Sequence, residues 1–149
     1  MPGMAQRPTA EPLRPAVTFW PLDAGTGNVV FNGQSHHSSE TPTQAALRLR
    51  WWLMTCFANW RESSNSSQDK PGFWVELDGE HSHVVLRCWF AVELEHDGFR
   101  YSLSRFQVGA PTGAGLMQWH ELHRLLNDPD FRPDIAEFKV QLQQALAQL

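Results

Sequence analysis

The sequence predicts one α+β domain: an antiparallel sheet, made of an N-terminal hairpin and a three-stranded meander, packed by one long helix and two C-terminal helices. Three observations carry this. Residues 82–95 alternate apolar and polar positions between two Asp-Gly pairs, a capping signature at Thr41 opens a stretch with helical apolar spacing, and the last segment repeats apolar residues at intervals of 3, 4, 3 and 4. With 149 residues and 42% hydrophobic content, the chain can bury a core without disulfides or metal, which excludes a disordered chain as a whole.

Residues 1–15 hold Pro2, Pro8, Pro12 and Pro15 and little that could pack, so a flexible Pro-rich tail is expected ahead of a single domain over 16–149. "AVTFW" (16–20) and "NVVFNG" (28–33) read as strands that pair as a hairpin. Thr41 as N-cap, Pro42 at the first helical position and Gln44 three residues after the cap start a helix expected over 42–61. Gln44, Arg48, Thr55, Asn59 and Glu62 form a narrow polar stripe, and nearly all the rest is apolar. Such a helix has to be covered on more than one side, by a sheet and by other helices or a partner.

A serine-rich surface loop, "ESSNSSQDKPG", leads into the meander. Asp-Gly favours a two-residue type I′ turn, because both central residues need positive φ. A turn at Asp78-Gly79 would pair Val75 with Ser82 and Phe73 with Val84; one at Asp97-Gly98 would pair Leu94 with Tyr101 and Val92 with Leu103. Both registers put Val84, Leu86, Cys88, Phe90 and Val92 on the core face. The apolar phase changes between Leu103 and Phe106, which predicts a bulge near Ser104 or Arg105. "GAPTGAG" is expected to connect to a helix over about 116–126, and Pro133 to start a last helix buried through Ile135, Phe138, Leu142, Ala145 and Leu149.

Twelve basic against sixteen acidic side chains give a net charge of −4, which disfavours nucleic acid as a partner because no basic surplus is present. A single-stranded nucleic-acid reading through stacking on Trp74 and Trp89 lacks the basic groove such binding uses. Cys56 and Cys88 read as reduced thiols, the N-terminal stretch has no apolar signal region, and "WWLMTCFANW" is far short of a membrane span. A soluble, cytoplasmic protein without membrane contact is expected.

The chemistry-bearing candidates fail one by one. In "WHELHR", His120 and His123 are three residues apart, where the zinc protease motif needs four. His81 is expected opposite Glu76 and His83 opposite Trp74, with no third ligand beside them, and His36 and His37 read as a solvated loop pair. "GAPTGAG" has no lysine and is no P-loop, and Cys88 points to the core. No catalytic, cofactor or metal residue is therefore assigned, and no cofactor is expected.

What remains is the sheet face opposite the core, where Trp74, His83, Arg87 and Trp89 are expected to gather. Tryptophan and arginine are enriched in protein-binding hot spots. Either a second layer of the protein covers this face or a partner does. The expectation is a non-catalytic protein-binding module of adaptor, chaperone, immunity or inhibitor type. It would use that face, the C-terminal amphipathic helix or both, and its partner would be another protein or a second copy. The alternative is a small-molecule-binding domain or enzyme with a pocket between sheet and helices lined by His83, Arg87 and Trp89.

Overall fold

The structure, a computed structural model, describes residues 20–80 and 82–149. The Pro-rich tail, the strand expected over 16–20 apart from Trp20, and His81 lie outside the described residues. The elements run β1 (Phe31–His36), α1 (Pro42–Cys56), β2 (Asn59–Glu62), β3 (Gly72–Asp78), β4 (Val85–Glu95), β5 (Gly98–Pro111), β6 (Met117–Glu121), α2 (Leu122–Leu125) and α3 (Arg132–Leu146). The sheet is six-stranded in the order β1-β5-β4-β3-β2, and β6 also pairs with β5. Every pairing is antiparallel. The α+β class, the meander and the helix packing are as the patterning predicts.

The core face is the one the alternation assigns. Val75, Leu77, Leu86, Cys88, Phe90 and Val92 are buried on it, and α1 and α3 both pack there through Leu49, Trp52, Leu53, Ile135, Phe138 and Leu142. Burial pushes the Cys88 thiol far above its ordinary pKa, so it is no nucleophile. The Trp52 indole donates to the Ala145 carbonyl at 2.7 Å, tying the two helices together over the sheet. The capping box closes as predicted, with the Gln44 amide donating to Thr41 Oγ1 at 3.1 Å and the Thr41 amide to Gln44 Oε1 at 2.9 Å.

Several boundaries differ from expectation, each for a local reason. The helix stops at Cys56 rather than 61, because Phe57 is extended and Asn59–Glu62 pair with Phe73–Glu76 as an edge strand. Trp60 still turns inward, 6.0 Å from the Phe73 ring, so burial alone did not discriminate between helix and strand there. Among the described residues, the N-terminal pairing is one Leu22–Val29 bridge, and the strand expected over 28–33 lies at Phe31–His36, paired with β5.

In the meander, Asp78 faces Val85, so β3 and β4 are joined by a connection longer than a two-residue turn, closed by the Gly79 amide on the Val84 carbonyl. The Ser82 hydroxyl donates to Asp134 at 2.8 Å, which ties this loop to the start of α3. Glu95 faces Gly98, making His96-Asp97 the turn and pairing Leu94 with Phe99. Both slips are by an even number of residues, so each side chain keeps its face. Gly98 is required where it stands, since a Cβ there would collide with the Ser35 carbonyl. The bulge falls where the apolar phase breaks: the β4–β5 register shifts opposite Cys88, and Arg105 takes φ 55°.

The helix expected over 116–126 is a strand followed by one helical turn. Residues 112–116 are the tip of the β5–β6 hairpin, with the Thr112 amide on the Leu116 carbonyl at 2.7 Å. The glycine-rich stretch is a hairpin tip, and the connector reading holds.

At the β1 end of the core, Arg48 forms a bidentate pair with Glu40 at 2.8 and 2.9 Å and donates to Ser35 Oγ at 2.7 Å. That hydrogen-bonded guanidinium holds the Glu40 carboxyl below its ordinary pKa. Glu40 therefore contributes stability that is present above its unfolded pKa of about 4.3 and is lost as pH falls through the folded value. Urea midpoints between about pH 5 and 3 should fall more steeply for the wild type than for Glu40→Gln. Phe138→Ala, at a fully buried site, should cost about 3–5 kcal/mol in the same assay.

Candidate functional site

With α1 and α3 on one face, the opposite face of the sheet carries no helix among the described residues. Its middle is built by strand alternation: Arg61 from β2, Trp74 and Glu76 from β3, Arg87 and Trp89 from β4, Gln107 from β5, Trp119 and Glu121 from β6. Trp74 and Trp89 are direct cross-strand partners, with ring centroids 5.3 Å apart and planes tilted by 59°. The Arg87 guanidinium lies 3.7 Å from the Trp119 ring centroid and donates through Nε to Gln107 Oε1 at 2.8 Å. Gln107 in turn donates to Glu121 at 2.8 Å, so a polar chain crosses β4, β5 and β6. Arg105, turned by the bulge, stands 5.9 Å from the Trp89 ring centroid.

The tryptophans lie down rather than stand up. A Cβ on Gly72 would be 2.5 Å from the Trp89 ring, and one on Gly109 would be 2.7 Å from the Trp119 ring. Bare backbone under each indole lets it spread over the pleat and shield the strand beneath. On the opposite, core face, the Tyr101 ring lies in the same way over its direct partner Gly33 at the β1 side.

Of the four residues expected at this surface, Trp74, Arg87 and Trp89 come together and His83 does not. The longer β3–β4 loop carries His83 off the sheet, exposed beside Asp78, Gly79 and Ser82. Trp74 faces Trp89 and not His83, and Glu76 faces Arg87. Sequence reasoning missed Arg105, Gln107, Trp119 and Glu121 as neighbours. The signal for Trp119 was present: a glycine in a strand and a tryptophan on the far side of a glycine-rich turn make a cross-strand couple. His120 and His123 are split between β6 and α2; His120 stacks on Phe131, 5.8 Å between centroids.

Shallow depressions flank the aromatic pair. One of about 670 Å³ runs from Trp89 and Gly72 past Ser102 to Asn32 and Gln34, with Lys70 at its rim. One of about 430 Å³ lies between residues 23–30 and Trp74, Arg105 and His123; one of about 440 Å³ joins Asn59, Arg61, Trp74 and Arg87. His83, Arg87 and Trp89 line different depressions. The far end of the face is charged: Arg100 pairs with Glu93 and with Glu95, His36 approaches Glu95 at 3.2 Å, and Lys70 approaches Glu93 at 3.5 Å. Such exposed pairs are worth little to stability.

No protein-family model matches the chain, and no curated protein does. Two solved structures share the fold. A TBP-like protein from Parabacteroides distasonis superposes with a TM-score of 0.58 at 9% identity, covering 86% of this chain and 95% of that one. A DUF4468-family protein from Bacteroides ovatus gives 0.57 at 11% identity, covering 86% and 88%. At these identities the likeness is one of fold alone.

Gly109→Ala should displace the Trp119 indole and with it Arg87, costing about 1–3 kcal/mol as overpacking does. Near-ultraviolet circular dichroism should change while the far-ultraviolet spectrum stays.

Proposed function

We propose that the protein is a non-catalytic binding module whose open sheet face takes another protein. One observation carries the reading: the face is uncovered among the described residues, yet its centre is Trp74, Trp89, Arg87 and Arg105 rather than the short polar side chains of a solvated sheet. Tryptophan and arginine bring large contact area and fixed geometry at low entropic cost, the profile of binding hot spots. The polar chain from Arg87 to Glu121 holds the charges in place before a partner arrives, which limits what association must order.

The proposal rests on the sheet face rather than on the C-terminal helix, whose Ile135, Phe138, Leu142 and Ala145 are buried in the protein's own core. Location in the cytoplasm is part of the same proposal. It is supported by two cysteines that form no disulfide. A small-molecule site is the second reading. It is favoured by the groove of about 670 Å³ at Trp89, a volume in the usual ligand range.

The test is cross-linked capture from the native host with the wild-type chain and with Trp74→Ala/Trp89→Ala. The double variant is expected to remain folded and to lose the proteins the wild type retains, and Arg87→Ala to lose most of them. Unchanged capture by the double variant, or its unfolding, overturns the reading. Thermal shifts by small ligands that vanish in Trp89→Ala, with capture unaffected, favour the second reading.

A further inference from the structure

The apolar arc of α1 is wider than the surface that covers it. Ala45, Leu49, Trp52 and Leu53 are buried beneath the helix, but Leu47, Trp51 and Met54 are 63, 70 and 62% exposed. Their spacing of four residues and then three returns each to nearly the same side of a helix with 3.6 residues per turn. That side is turned away from the sheet. Single apolar residues on a surface need no explanation, whereas a contiguous patch of a few hundred Å² on a monomer is often functional. We propose that this stripe is the seam of a homodimer, in which α1 packs antiparallel against α1 of a second copy about a two-fold axis beside Trp51.

Charge favours a second copy over a charged partner. The stripe has no charged residue, and the two charges of α1 are already neutralised within the chain. Arg48 is paired with Glu40 at 2.8 Å and Arg50 with Glu62 at 2.9 Å. A partner thus needs no countercharge, and a charged one would be desolvated without compensation.

Geometry favours the same choice. Four-then-three spacing is that of a coiled-coil seam, and it can interdigitate with itself. A two-fold interface uses one patch twice, so the patch must be complementary to itself. An axis at the midpoint of Leu47 and Met54 falls next to Trp51. It sets Leu47 of one copy against Met54 of the other, and brings the two indoles together at the centre, where the thioether can adapt to them. Antiparallel apposition also places the positive N-terminal end of one helix near the negative C-terminal end of the other. Exposed Thr43, Gln44 and Thr55 border the stripe and supply a polar rim.

Two helical turns bury less than the ~800 Å² per partner of a standard interface, so the dimer should be weak and reversible. The seam lies on the helix side, so a dimer would leave both sheet faces free, and a partner with two sites would gain avidity.

Sedimentation velocity of the full chain, from about 5 to about 500 µM, is the test. The wild type is expected to pass from monomer to dimer across that range. Trp51→Glu should remain monomeric throughout, with an unchanged circular dichroism spectrum because the site is exposed; Met54→Lys should do the same and stands in if the first variant misfolds. Val140→Glu, on α3 and 51% exposed, should dimerise like the wild type. In a Cys56→Ser background, Leu47→Cys mixed with Met54→Cys should oxidise to a crosslinked pair that neither forms alone. A wild type monomeric at the highest concentration, a dimer that survives both seam variants, or Leu47→Cys crosslinking to itself would each overturn the proposal.

Discussion

Both long helices dock on one face of the sheet, and the rest of the structure follows from that. The Trp52 indole on the Ala145 carbonyl and Arg48 against Ser35 join α1 to α3 and to β1, and Phe90, Phe99 and Phe138 fill the space beneath. A sheet normally buries one face and solvates the other, giving clean alternation. Here the second face has six strands to protect and no second layer among the described residues. The chain protects it with its own side chains laid flat, and the same side chains form the candidate site.

That solution depends on glycine. An indole lies parallel to the pleat only where the neighbouring position lacks a Cβ, and Gly72 and Gly109 supply it beneath Trp89 and Trp119. Glycine weakens a strand by leaving its backbone exposed and unpacked. An aromatic ring across the strand removes that defect. The cation–π contact of Arg87 on Trp119, worth about 0.5–2 kcal/mol depending on desolvation, then locks the outer layer. The tryptophans therefore have a structural role in the free protein. This explains how they stay partly buried, and why a binding test has to check folding in the same variants.

Most of the fold was legible because it rests on period and parity. The core face of β4 followed from alternation, and it survived register slips at both hairpins because each slip was even. The capping box at Thr41 was legible because its three residues act locally. What failed were places where two periods fit the same residues. Trp60 turns toward the core whether the chain continues as a helix or restarts as a strand, and in the strand it is partly buried. "LMQWHELHRLL" satisfies a helical stripe, yet β5 after its bulge offers an unpaired edge that only a strand can satisfy, a long-range demand no local pattern contains. The site was half legible for the same reason. Trp74, Arg87 and Trp89 share one face by parity, whereas His83 depended on a turn length that Asp78-Gly79 did not dictate.

The bulge connects these points. Fourteen residues of β5 serve two partners on one edge, β1 along the first half and β6 along the second. A strand that long accumulates twist, and an extra residue between Ser104 and Gln107 bends it where one partner gives way to the other. The positive φ of Arg105 costs backbone energy in a non-glycine residue, and the residue gains a guanidinium position over Trp89 that no regular strand residue would have. On the core side the same irregularity brings in Phe106, which packs on Trp20 and Phe31. One inserted residue thus both closes the N-terminal end of the core and aims a cation at the centre of the open face. The phase break between Leu103 and Phe106 is therefore the point in the sequence where fold and candidate site are specified together.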